Sequence, residues 1–123
     1  MVKESKSVED FLEALSMLEK SGEPLETTKV AEILKVSKPA IHQMGHELIE
    51  KGYITRKDYG DMKLTPKGRK LGERIYHRHR ALKAYLLQLG VSEKNAEKDC
   101  CLIEHVISEE TFKAIETSLQ AKK

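Results

Sequence analysis

Tryptophan is absent from this sequence, and the aromatic share is only 5%. The core must therefore be mostly Leu, Ile, Val and Ala, which points to helices. Long apolar runs are missing too. None approaches the roughly 18 residues of a membrane span, and the opening MVKESKSVED carries no signal-peptide apolar stretch. A cytoplasmic protein without a membrane partner is expected. The only two cysteines, Cys100 and Cys101, are adjacent. Neighbours in a helix can hardly bridge each other and make no disulfide framework, so a reducing compartment suits them. No internal repeat or low-complexity linker interrupts the 123 residues, enough for one or two small units.

Charge is plentiful and unevenly spread. The formal net charge is +2, yet residues 35–83 hold 13 basic against 5 acidic residues, a net of +8, between flanks of −4 and −2. A basic middle suggests a surface for a polyanion.

Helical spacing of Phe11, Leu12, Leu15 and Leu18 predicts a first helix over about residues 7–20, ended near Ser21-Gly22. Thr27-Thr28 suits the cap of a short second helix with Val30, Ile33 and Leu34 inward. Ser37 or Lys38 followed by Pro39 suits the start of a third, running to about Lys51 with Gly52 just beyond it. Its inward residues are expected to be Ile41, Met44 or Gly45, Leu48 and Ile49. Tyr53 to Lys57 and Met62 to Thr65 flank a turn, Asp58-Tyr59-Gly60-Asp61, that reads as a β-hairpin. Thr65-Pro66 launches a long fourth helix through Leu71, Ile75, His79, Leu82, Leu86 and Leu89. A fifth is expected over about residues 93–107, and a sixth, capped by Ser108, to about Leu119.

Helix, turn, helix and hairpin in this order make a winged helix. The expected fold is mainly α with a small β-hairpin wing: a winged helix-turn-helix DNA-binding domain over residues 1–74 and a helical metal-binding and dimerisation domain over 75–123. The third helix would enter the major groove with Ser37, Lys38, Pro39, Ala40, His42 and Gln43 foremost. Gln43 can pair with adenine, Ala40 and Pro39 can touch a thymine methyl, and Ser37 and Lys38 can reach phosphates. In the wing Arg56, Lys57 and Lys63 suit backbone contact. His42 and His46 have a zinc-compatible i, i+4 spacing, but no third ligand stands nearby.

The segment CCLIEHVIS holds a thiol, a carboxylate and an imidazole at positions that share one helical face: Cys101, Glu104 and His105. Three donors fall short of the six that Fe²⁺ or Mn²⁺ commonly takes. His79 in the fourth helix and Asp10 and Glu13, three apart on the first, offer the rest. Cys100 is expected to pack as a small buried residue, and His77 to face elsewhere than His79.

On SVEDFLEAL, VSKPAIHQM, LTPKG, HRHRAL and CCLIEHVIS the chain resembles the DtxR/MntR family of metal-dependent transcriptional repressors, of the short two-domain type. The resemblance implies metal ligands at Asp10, Glu13, His79, Cys101, Glu104 and His105. Asp10 and Glu13 match the manganese-sensing branch, and Cys101 the diphtheria-type branch. Ser37, Pro39 and Gln43 match base-proximal positions of the recognition helix. Lys83 replaces a carboxylate of the family's second site, and Glu97 stands where diphtheria-type members carry a histidine. The thiolate favours Fe²⁺ as first choice and Mn²⁺ as second, with Zn²⁺ or Co²⁺ expected to bind in vitro.

The expected mechanism is linkage. Metal favours the arrangement in which the first helix is docked on the fourth and fifth, so that a homodimer presents two recognition helices to a palindromic double-stranded DNA operator of metal-uptake genes. The alternatives are a metal-independent MarR-like winged-helix regulator sensing a small molecule or cysteine oxidation, and a metal-dependent hydrolase with Glu104 as base.

Overall fold

Five of the six helices among the described residues begin on a small hydroxyl side chain that accepts a backbone N–H three residues on. Ser5 accepts from Val8 at 3.3 Å, Ser37 from Ala40 at 3.2 Å, Thr65 from Gly68 at 3.1 Å, Ser92 from Asn95 at 3.3 Å and Ser108 from Thr111 at 3.1 Å. Each bond satisfies one of the N–H groups that a helix start leaves without a partner. The computed structural model describes residues 4–58 and 60–121. Its elements are α1 (Lys6–Lys20), α2 (Thr27–Leu34), α3 (Lys38–Glu50), β1 (Ile54–Arg56), β2 (Met62–Leu64), α4 (Pro66–Gln88), α5 (Glu93–Ile103) and α6 (Glu109–Ala121). The expected mainly helical fold with a hairpin wing is borne out. Tyr59, expected in the hairpin turn, lies outside the described residues. No helix among those described is long and apolar enough to cross a membrane.

Two compact units divide the chain at Arg74 and Ile75, within α4. In the first, Phe11, Leu12 and Leu15 of α1 are wholly buried and pack with Val30 of α2, Ile41 and Leu48 of α3, and Ile54, Met62 and Leu64 of the hairpin. The antiparallel strands pair Ile54 with Leu64, Thr55 with Lys63 and Arg56 with Met62. Alternation puts Ile54, Met62 and Leu64 on the inner face and Thr55 and Lys63 outside. Gly52, at φ +80°, supplies the left-handed residue that turns the chain from α3 into the hairpin. The Thr65 hydroxyl lies 2.6 Å from the Gly52 carbonyl and 3.0 Å from that of Tyr53, which pins the start of α4 beside the hairpin.

In the second unit the core is small. Leu82, Cys100 and Phe112 are buried, with Ala81, Leu86, Ile103, Ile107 and Ile115 packed around them.

Five expectations need correction. Ile33 of α2, expected inward, is 40% exposed. Thr27 is the first residue of α2, not its cap; Glu26 holds the cap position and makes no capping bond. Gly45, not Met44, is the buried residue of its turn, and Ile49 is 40% exposed because it lies one step off the stripe of Ile41, Gly45 and Leu48. Leu89 lies past the end of α4 and is 58% exposed. Finally, α5 stops at Ile103, four residues before the expected end, and Glu104 is its C-cap.

Gly68 and Gly45 give opposite tests of this packing. A Cβ at Gly68 would sit 1.9 Å from the Tyr53 carbonyl oxygen, whereas one at Gly45 meets nothing within 4 Å. Gly68→Ala is expected to cost about 1–3 kcal/mol or more, and Gly45→Ala to add about 0.5–1 kcal/mol, both read from urea denaturation midpoints.

Candidate metal centre and nucleic-acid interface

Along α5 and its cap, Glu97, Cys100, Cys101 and Glu104 recur at i, i+3, i+4 and i+7, one continuous helical face. In the second unit that face meets His79 of α4. His79 Nδ1 lies 3.6 Å from Cys100 Sγ, 3.8 Å from Cys101 Sγ and 3.4 Å from Glu104 Oε2. His79 Nε2 is 2.8 Å from Glu97 Oε2. His105 Nε2 stands 3.4 Å from Glu104 Oε1.

Glu104 is the centre of this group. Its side chain has 0% exposure, and neither carboxylate oxygen has a hydrogen-bond partner among the described residues. It also sits at the C-terminal end of α5, where the helix dipole is negative and repels a carboxylate. A buried anion so placed is costly unless a cation meets it. Two imidazole nitrogens at 3.4 Å, one beside each oxygen, are too far for good hydrogen bonds but well placed to share a cation with the carboxylate. The donor set therefore fits a divalent metal. Burial pushes the Cys100 thiol well above its usual range, and the nearby Cys101 and Glu97 add to the shift.

Arg78 fixes the turn that carries Glu104 and His105. It is buried on α4 and donates to the carbonyls of Glu104 at 3.2 Å and Ile107 at 3.3 Å, and to Glu109 Oε2 at 2.9 Å. Those carbonyls belong to the chain just past α5, so the early helix end is satisfied rather than frayed.

His79, Cys101, Glu104 and His105 thus come together in the second unit. Asp10 and Glu13 lie together on α1 in the first, where Asp10 accepts from Lys6 at 2.7 Å and Glu13 is buried. Cys100 is buried as expected, yet its sulfur also belongs to the donor cluster. Lys83 donates to Glu93 at 2.7 Å and lies 3.8 Å from Glu97 Oε1. His77 is exposed and paired with Glu116.

In the first unit, Ser37, Lys38, Pro39 and Gln43 are exposed at the start of α3, while Ala40 and His42 are half-buried. Lys57 and Lys63 are exposed on the wing. Arg56 behaves differently. It donates through Nε to the Gly60 carbonyl at 2.7 Å and through Nη2 to Thr27 at 2.5 Å, and Nη1 lies 3.1 Å from His42 Nδ1. Its guanidinium ties the hairpin to α2 and α3, so its first duty is internal.

The chain matches the family model described as "Iron dependent repressor, N-terminal DNA binding domain" over residues 3–62, and "Iron dependent repressor, metal binding and dimerisation domain" over 65–123. An HTH-type transcriptional regulator of Methanocaldococcus jannaschii, MJ0568, is 30% identical over 118 residues, 94% of each chain. The HTH-type transcriptional regulator MntR of Geobacillus kaustophilus is 35% identical over 102 residues, 83% of this chain and 72% of that one. The chain belongs to the DtxR/MntR family of metal-dependent transcriptional repressors. The crystal structure of the metal-dependent transcriptional regulator MtsR superposes with a TM-score of 0.82 at 27% identity; it covers 92% of this chain, which spans 53% of that one. DtxR/MntR members are DNA-binding, dimerising regulators that take divalent metals, not enzymes, which removes the hydrolase alternative.

Three residues of this family member escaped the reading of its sequence. Glu97 and Cys100 were legible in the i, i+3, i+4, i+7 spacing that ends in Glu104. Arg78 was legible too, since it lies three residues after Ile75 and four before Leu82 on the inward stripe of α4.

The two wing cations are expected to respond differently. Lys63→Ala should weaken binding evenly across DNA sequences and lower the salt slope by about 1, with thermal stability unchanged. Arg56→Ala should lower the melting temperature, because Thr27 and His42 lose their tie. Calorimetry and salt-dependent DNA titration measure both.

Proposed function

We propose that this chain is an iron-responsive repressor, with Mn²⁺ as the second choice of ion, that binds a palindromic operator as a homodimer and controls metal-uptake genes. The observation that carries this reading is the Glu104 carboxylate, buried without a hydrogen bond among the described residues. Cys101 softens the donor set and so favours Fe²⁺ over Mn²⁺.

His79, Cys101, Glu104 and His105 hold the ion from the C-terminal unit, and Asp10 and Glu13 complete the set from α1, as the resemblance implies. When bound, a divalent cation supplies the positive charge that lets these carboxylates and the thiolate share one spot. Donors from both units then couple the position of α1 to the C-terminal unit, and arrangements that bring all donors together are favoured by the difference in binding free energy. Leu89, Leu102 and Val106, at 58%, 54% and 71% exposed, give the second unit apolar surface for a second copy. Two-fold symmetry then sets the recognition helices to read half-sites one helical turn or a multiple apart. At each, Gln43, Ala40 and Pro39 face bases, and Ser37, Lys38, Lys57 and Lys63 face phosphates. His42 is held against Arg56 at the edge of this surface.

Glu104→Gln and His105→Ala are expected to keep the helical circular dichroism of wild type and to lose metal-dependent binding to DNA selected from a random pool with Fe²⁺ or Mn²⁺ present. Wild-type binding by either variant in EDTA would contradict the switch.

A further inference from the structure

We propose that Cys100, Cys101, His79 and Glu97 form a second, thiol-rich donor set that takes a tetrahedral cation of the zinc class and shares His79 and Cys101 with the regulatory centre. One ligand atom from each of the four lies within 4.8 Å of the other three. The edges match a tetrahedral site. With metal–sulfur bonds of about 2.3 Å and metal–nitrogen or metal–oxygen bonds of about 2.0–2.1 Å, tetrahedral angles give sulfur-to-nitrogen and sulfur-to-oxygen edges of roughly 3.6 Å. Here His79 Nδ1 stands 3.6 and 3.8 Å from the two sulfurs, and Glu97 Oε2 stands 3.6 and 3.8 Å from the same pair. The 2.8 Å contact on Glu97 Oε2 is made by the other ring nitrogen, His79 Nε2, and must give way when Nδ1 and Oε2 both turn to the ion.

The position of Glu97 is set from outside. Lys83 lies 3.8 Å from its Oε1, while Oε2 faces the thiols. The spacing along α5 is i, i+3, i+4, so all three α5 donors share one face. Two thiolates, an imidazole and one carboxylate suit Zn²⁺ or Co²⁺ in four-coordination, whereas the oxygen-rich Glu104 side suits ions that prefer six. Because His79 and Cys101 belong to both sets, occupancy of one excludes the other. The site lies wholly in the C-terminal unit and does not require the coupling to α1 proposed above.

The test is anaerobic titration of the full chain with Co²⁺ alone, then displacement by Zn²⁺. Wild type is expected to show the intense visible bands of tetrahedral cobalt and sulfur-to-cobalt charge transfer. Cys100→Ser should lose about half of the charge-transfer intensity. Glu97→Gln, whose side chain is 48% exposed, tests the site without disturbing the core; it should weaken Zn²⁺ about tenfold more than Mn²⁺, since Glu97 also contacts His79. Glu104→Gln should abolish Mn²⁺ binding yet retain the cobalt spectrum, which separates this site from the regulatory one. A weak six-coordinate cobalt spectrum, charge transfer indifferent to Cys100→Ser, or an equal loss of Mn²⁺ and Zn²⁺ in Glu97→Gln would overturn the proposal.

Discussion

A carboxylate shut away from water at the negative end of a helix is the constraint around which the C-terminal unit is organised. Glu104 caps α5 with no exposed side-chain surface, and the groups beside its oxygens are imidazoles rather than hydrogen-bond donors at bonding distance. Left so, the anion opposes folding on two counts, desolvation and the helix dipole. Arg78 offsets part of the problem by bonding the carbonyls of the same turn, but it leaves the carboxylate oxygens facing His79 and His105. The turn thereby presents each oxygen to an imidazole nitrogen at 3.4 Å.

Most of the fold could be read from local chemistry. Serine and threonine ahead of apolar runs, Pro39 and Pro66 in first turns, and Gly52 past the end of α3 each act within a few residues, so pattern alone locates them. The end of α5 was hidden because nothing in CCLIEHVIS breaks a helix. The signal came instead from Arg78, some 26 residues away in sequence. Ile49 was misplaced for a simpler reason, since apolar character was taken for burial one step off the inward stripe of α3.

The site was legible in part. His79, Cys101, Glu104 and His105 cluster in one unit, while Glu97 and Cys100 were passed over, one as a departure from the family pattern and the other as a packing residue. Burial and ligation are not alternatives for a thiol, and Cys100 is placed for both. Arg56 was read as a phosphate contact from its charge. Strand alternation gives the better guide: two residues beyond the buried Ile54, it points inward and binds Thr27.

The face of α5 sets carboxylates at its two ends, Glu97 and Glu104, with sulfur at Cys100 and Cys101 between them and His79 opposite. The most direct measurement of the central claim is an anomalous difference map from crystals grown anaerobically with Fe²⁺, collected at the iron edge. A peak at bonding distance from a Glu104 carboxylate oxygen and from His79 or His105 is predicted. A map at saturating iron with no peak there, and with Glu104 hydrogen-bonded to protein instead, would contradict the account.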